Sequence, residues 1–143
     1  MTPDQITLVQ TSFGRVLPIA DTAATLFYGR VFELAPEVRA LFSEDMAKQR
    51  RNLMQMLQVT VKGLSNLERL VPMVEALGQR HANYGVQEGH YEVVGAALLW
   101  TLAQGLGTHF TPEVEAAWRE AYTLLAGTMQ AGARMGADVA LAA

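Results

Sequence analysis

Apolar residues recur along the chain at spacings of three and four, and no segment alternates convincingly at two, so helix is expected nearly throughout. TPDQ at 2–5 reads as a start: Thr2 can cap, Pro3 suits the first helical position, and Gln5 can close a capping box. That helix should end near Leu17-Pro18, because proline disfavours helix in the residue before it. A second helix is expected from about Ile19 to Leu34, with apolar or aromatic groups on several sides in LFYGRVF (26–32). Pro36 starts a short turn ending at Leu41-Phe42, and the polar SEDMAKQRR leads into a helix over about 46–64 with Leu53, Leu57, Val61 and Leu64 in line. The next helix, roughly 68–83, carries Leu70, Val74, Leu77 and His81 on one stripe and stops near Gly85. A mostly apolar helix over about 89–105 should cross the centre, and Thr111-Pro112 opens a last helix bearing Trp118, Tyr122, Leu125 and Met129. The terminal GADVALAA is expected to fray. Seven or eight helices with short, uneven connections fit a globin-type packing, and also some irregular bundles.

Composition narrows the function. A chain of 143 residues is expected to be one domain, 1–143, large enough to bury roughly two-thirds of its unfolded surface. The net charge of −3 shows no basic excess, which weighs against nucleic acid as a partner. No cysteine is present, so disulfides, thiolate metal sites and cysteine catalysis are excluded. The richest apolar run, VVGAALLW at 93–100, is far below the ~20 residues a bilayer needs, and the N-terminus lacks a signal pattern. No membrane insertion and a cytoplasmic location are the expectations. Ser12, Thr60 and the scattered carboxylates form no nucleophile–base arrangement.

LGQRHANYGV (77–86) raises the chemical question, since His81 stands where a leucine would serve. It can be a core histidine bonded to a carbonyl, a dipole partner at a helix C-terminus, or a metal or haem ligand. An imidazole in an apolar slot stays neutral and able to coordinate, and the Leu77 carbonyl one turn back can fix its tautomer. His90 and His109 lie nine and twenty-eight residues on, without paired helical spacing, so an all-protein metal cage is disfavoured and a cofactor bringing its own ligands is favoured.

Four strings in order, LFYGRVFELAPEVRALF (26–42), LGQRHANYGV, HYEVVGAALL (90–99) and AAWREAY (116–122), resemble bacterial single-domain globins. These stand close to flavohaemoglobin globin domains and to neuroglobin, and the resemblance covers essentially the whole length. It implies an all-α globin fold holding haem b, with His81 as iron ligand and Leu77 and Arg80 beside it. Tyr28 would point over the sixth site, and Gln49 would occupy the distal position, with Leu53 one turn later on the same face. Phe42 would lie on the haem plane, with Leu53 and Val86 as apolar walls. Arg80 and the Lys48-Gln49-Arg50-Arg51 run could reach the propionates. Without the resemblance, the favoured readings are Tyr28 as a core aromatic with its hydroxyl bonded elsewhere and Gln49 as a solvated residue in a charged run.

The implied partners are O2, NO and CO. A phenol and an amide both donate hydrogen bonds, which favour a ligand gaining negative charge, so oxygen should be strongly retained while carbon monoxide gains less, giving poor discrimination in favour of carbon monoxide. Gln49 is a poor iron ligand, so closure by a distal histidine, as in neuroglobin, is not expected. Tyr91, ten residues after His81, matches a tyrosine that braces the proximal histidine in flavohaemoglobins. The companion glutamate falls on Ala133, eleven residues after Tyr122, which puts peroxidase-like activation in doubt. Reversible gas binding for transport or scavenging is expected. Nitric oxide dioxygenase activity, whose reductase would be a separate protein, is the alternative, in a monomer or homodimer. A haem-free regulator is disfavoured by His81 with its distal pair.

Overall fold

The N-terminal capping box closes as the residues imply. Gln5 N–H donates to Thr2 Oγ1 at 3.1 Å and Thr2 N–H to Gln5 Oε1 at 3.0 Å. Behind it, in the computed structural model, six α-helices follow one another: α1 (Pro3–Val16), α2 (Ala20–Leu34), α3 (Ala47–Gly63), α4 (Leu67–Asn83), α5 (Glu88–Leu106) and α6 (Pro112–Ala142). Short 3-10 turns occupy Leu17–Ile19, Pro36–Leu41 and Gly107–His109. The structure describes residues 1–142, the side chains of 137–142 excepted, and beyond Gly136 the expected fraying of GADVALAA lies outside that description. Six α-helices stand close to the seven or eight expected, and no strand occurs among the described residues. The α6 start is also as read: Val114 N–H donates to Thr111 Oγ1 at 3.2 Å. His90 turns out to be a local capping residue, its Nδ1 accepting from the Gln87 N–H at 3.1 Å.

The core runs between α1, α2, α5 and α6, through Val9, Phe13, Phe27, Leu98, Leu102 and Trp118. Trp118 donates its indole N–H to Ser12 Oγ at 2.8 Å, and Ser12 in turn donates to the Leu8 carbonyl at 2.6 Å. Ser12 is thus a satisfied core hydroxyl; without it a buried indole N–H would lose its partner, at a cost of ~1–3 kcal/mol. Two small apolar cavities sit in this core, sharing Leu57, Leu98 and Trp118, and the first reaches Leu53 on α3.

The tightest packing is between α4 and α6, and glycine makes it possible. A Cβ at Gly78 would lie 1.9 Å from the Met129 carbonyl oxygen, and one at Gly132 would lie 2.1 Å from that of Glu75. Pairing 75 with 132 and 78 with 129 runs the helices antiparallel, backbone on backbone. This contact fixes the depth of α4, the helix that carries His81.

Candidate functional site

The last turn of α4 is closed by a Schellman motif. Gly85 takes φ 95°, its N–H bonds the Ala82 carbonyl at 3.1 Å, and Val86 N–H bonds the His81 carbonyl at 3.0 Å. A side chain at 85 would be strained at that φ and would approach Leu41 Cδ2 to 3.3 Å. The motif anchors His81 through its own carbonyl and sets Val86, half-buried, just beyond it. His81 Nδ1 donates to the Leu77 carbonyl at 2.9 Å. A carbonyl can only accept, so the neutral ring carries its hydrogen on Nδ1 and leaves the Nε2 lone pair free. Burial lowers the His81 pKa, the Leu77 bond raises it in part, and the Arg80 charge lowers it again. A neutral imidazole with one nitrogen anchored is the form that coordinates a metal.

A second group forms between α2 and α3. Gln49 Nε2 donates to Tyr28 Oη at 3.0 Å. The Tyr28 ring is held by three others: Phe27 edge-on at 5.1 Å, Phe42 edge-on at 5.5 Å and Phe32 stacked at 6.0 Å between centroids. Because the hydroxyl oxygen accepts from Gln49, its own proton remains to be donated, and no acceptor for it occurs among the described residues. Burial raises the Tyr28 pKa and the Gln49 bond pulls it partly back, so the group is a phenol, not a phenolate, near neutral pH. Leu53 packs half-buried against the same core.

Residues 25–129 match the Globin family. The chain belongs to that family. The flavohaemoprotein of Vibrio cholerae is 30% identical to this globin over 129 residues, 88% of this chain and 33% of that protein. The chain spans about a third or less of the length of the flavohaemoproteins it matches first. A bacterial globin from Campylobacter jejuni superposes with a TM-score of 0.84 at 25% identity, covering 96% of this chain and 99% of its own. An engineered carbene transferase from Rhodothermus marinus, assigned as a nitric oxide dioxygenase, superposes with a TM-score of 0.87 at 26% identity, covering 99% of both chains.

Other residues singled out from the sequence of this globin fall less centrally. Arg80, Lys48 and Arg51 are exposed. Arg50 reaches back to α2, pairing with Asp21 at 3.2 Å. Tyr91 is half-buried, and its carbonyl, not its hydroxyl, is engaged, accepting from Tyr122 Oη. His81 Nδ1 is committed to Leu77, and no hydrogen bond joins Tyr91 to it among the described residues. Ala133 lies half-buried on α6, next to the Gly132 contact. No helix among the described residues is long and apolar enough to cross a membrane.

Arg39 was missed. Its guanidinium donates to the carbonyls of Phe42 at 3.3 Å, Ser43 at 2.9 Å and Glu44 at 3.4 Å, and stands over the Phe32 ring at 5.4 Å. It clasps the corner that delivers Phe42 to Tyr28. The signal available in the sequence was one arginine in the turn that ends in Phe42.

Proposed function

We propose that this globin holds haem b through His81 Nε2 and binds dioxygen and other diatomic gases reversibly, with Tyr28 and Gln49 facing the ligand. The observation that carries this reading is the Gln49–Tyr28 hydrogen bond at 3.0 Å, which leaves a phenolic proton for a ligand. The residues present suit the group. His81 offers a neutral imidazole with its tautomer set by Leu77, while Phe42, Leu53 and Val86 are half-buried apolar side chains suited to a flat hydrocarbon ring. Arg80, Lys48 and Arg51 are free at the surface to meet carboxylates. Haem, when bound, would supply an iron that takes up a diatomic gas, with negative charge developing on dioxygen. Tyr28 would donate to that charge, Gln49 would hold Tyr28 in aim, and the Phe27, Phe32 and Phe42 rings would keep water away.

A second reading, nitric oxide dioxygenase with electrons from a separate reductase, is favoured by the likeness to the Rhodothermus marinus protein. Both readings share oxygen retention; only the second demands repeated turnover. The test is a visible spectrum of the purified, haem-supplied protein. The expected result is a Soret band whose ferric form is not low-spin bis-histidine and whose ferrous form takes up O2 and CO. A chain that refuses haem, or a His81→Ala variant with unaltered axial ligation, refutes it. Sustained NO consumption with a reductant system would decide for the second reading.

A further inference from the structure

The corner between Phe42 and Met46 is tied by side chains. Arg39 Nη1 donates to the Phe42 carbonyl at 3.3 Å and to the Ser43 carbonyl at 2.9 Å, and Nη2 to that of Glu44 at 3.4 Å. Ser43 Oγ donates to the Asp45 carbonyl at 2.8 Å, and Asp45 Oδ1 accepts from the Ala47 N–H at 3.0 Å. Each carbonyl from 42 to 45 is thereby held by a side chain, and the last link opens α3. Met46, the N-cap of α3, makes no side-chain cap bond of its own. Gln49, in the first turn of α3, therefore takes its place from the corner.

The same guanidinium lies over the Phe32 ring at 5.4 Å. Phe32 packs against Phe42 at 5.7 Å and stacks on Tyr28 at 6.0 Å, while Phe42 meets Tyr28 edge-on at 5.5 Å. Arg39 thus touches one ring flanking Tyr28 and holds the backbone of another. Through the corner it also sets Gln49, the group that bonds the Tyr28 hydroxyl. A phenol ring can swing and its O–H can rotate. A hydrogen bond to a ligand needs both fixed, because such bonds weaken steeply as donor and acceptor leave the line.

We propose that Arg39 is a positioning residue that sets specificity: it fixes the aim of the Tyr28 hydroxyl, and so the preference for a gas that gains negative charge over one that does not. The role rests on the reading of Tyr28 as facing a haem-bound ligand. A guanidinium suits this place. Its planar fork carries five N–H donors, so it can meet three carbonyls and still present a face to an aromatic ring. A lysine carries its donors on a single point and cannot span carbonyls 42 to 44 together. No carboxylate pairs with Arg39 among the described residues, and neither guanidinium nor carbonyl titrates near neutral pH. The brace is permanent, not a switch.

The test compares Arg39→Lys with the parent, both haem-loaded, the Soret band recorded first. Amide hydrogen exchange over residues 42–49 should quicken at least about threefold, while α4 and α6 keep their rates. Oxygen should leave about three- to tenfold faster, less than for loss of the hydroxyl itself, and carbon monoxide less than about twofold faster. The C–O stretch of the carbon monoxide form should split, with a second band at higher frequency from molecules whose phenol has turned away. In a Tyr28→Phe background the same substitution should change the oxygen rate by less than about 1.5-fold and leave one band. Arg39→Gln, shorter and uncharged, should lie further in the same direction, and it serves if the lysine variant does not fold. Equal acceleration of both gases, an effect undiminished without the Tyr28 hydroxyl, or unchanged exchange over the corner overturns the proposal and leaves the haem reading standing. Faster exchange with the oxygen rate and C–O band unmoved makes Arg39 structural only, and overturns it too. Absence of a Soret band overturns both.

Discussion

On the proposed reading, Tyr28→Phe isolates the distal hydrogen bond. The ring sits among Phe27, Phe32 and Phe42, so phenylalanine keeps the packing and removes one hydroxyl. Two things are lost: the acceptor that holds the Gln49 amide at 3.0 Å, and the proton offered to a ligand. A hydrogen bond to a charged acceptor is worth about 1.5–3 kcal/mol. If it is broken in the transition state for departure, oxygen leaves about ten- to a hundredfold faster. The released Gln49 amide can itself turn to the ligand, which places the expected change toward the lower end. Tyr28→Phe and Gln49→Leu should therefore combine non-additively, since the two side chains touch. Carbon monoxide carries little negative charge, so its dissociation should change by a much smaller factor. Stopped-flow displacement of O2 by excess CO measures the first rate, and displacement of CO by NO the second. An oxygen rate within about twofold of the parent, under half a kcal/mol, would mean that the hydroxyl does not meet the ligand. Equal acceleration for both gases would mean that the substitution opened the pocket instead.

Gly78→Ala puts a methyl 1.9 Å from the Met129 carbonyl oxygen, which forces α4 and α6 apart by more than ~1 Å and destabilises by about 1–3 kcal/mol or more. Urea unfolding of the haem-free protein checks it, and haem should also transfer faster to an apoglobin acceptor because His81 moves with the helix. A stability change under ~0.5 kcal/mol would place the helices farther apart than described. Alkaline pH tests the buried phenols. Tyr28, Tyr91 and Tyr122 have raised pKa values, so above pH ~10 the unfolded chain releases protons the folded chain keeps. Their contribution is whole below that pH and is lost as pH rises through the folded values, by up to ~1.4 kcal/mol per pH unit for each retained proton. Unfolding followed between about pH 9 and 11 should show a shallower decline in Tyr122→Phe, and an identical slope would refute the assignment.

Much of this was legible because it is local. Thr2 with Gln5, and Thr111 before Pro112, announce helix starts through bonds three residues long. Gly85 marks the end of α4 because only the chain's own turn is involved. The His81–Leu77 bond spans one helical turn, so it too follows from spacing. What escaped depends on partners far along the chain. Gly78 and Gly132 read as weak helix formers until each is seen against a backbone some fifty residues away. Arg39 reads as an ordinary charge until the corner folds three carbonyls toward it. The Gln49–Tyr28 pair, twenty-one residues apart, was placed by resemblance; periodicity alone would have left one in the core and the other in solvent.

On the proposed reading, local and long-range contacts together divide the work between the two sides of the site. On the α4 side, His81 gives its Nδ1 hydrogen to a neutral amide carbonyl, and Ala133 stands where a carboxylate would be needed for a stronger pull. On the proposed reading, the imidazole would stay an ordinary neutral donor to iron and add little electron density, which would disfavour O–O cleavage. The glycine contacts of α4 with α6 hold the helix that carries His81 backbone on backbone, so the setting of His81 is rigid. On the same reading, control of ligand retention would be left to α2 and α3, where one hydroxyl and one amide meet inside an aromatic clamp. Placing a glutamate at 133 should shift the balance: if its carboxylate reaches the proximal hydrogen-bond network, the iron–histidine stretching frequency of the ferrous form rises while the oxygen off-rate stays governed by Tyr28. An unmoved frequency with a properly folded variant would show that the Leu77 carbonyl alone commands Nδ1.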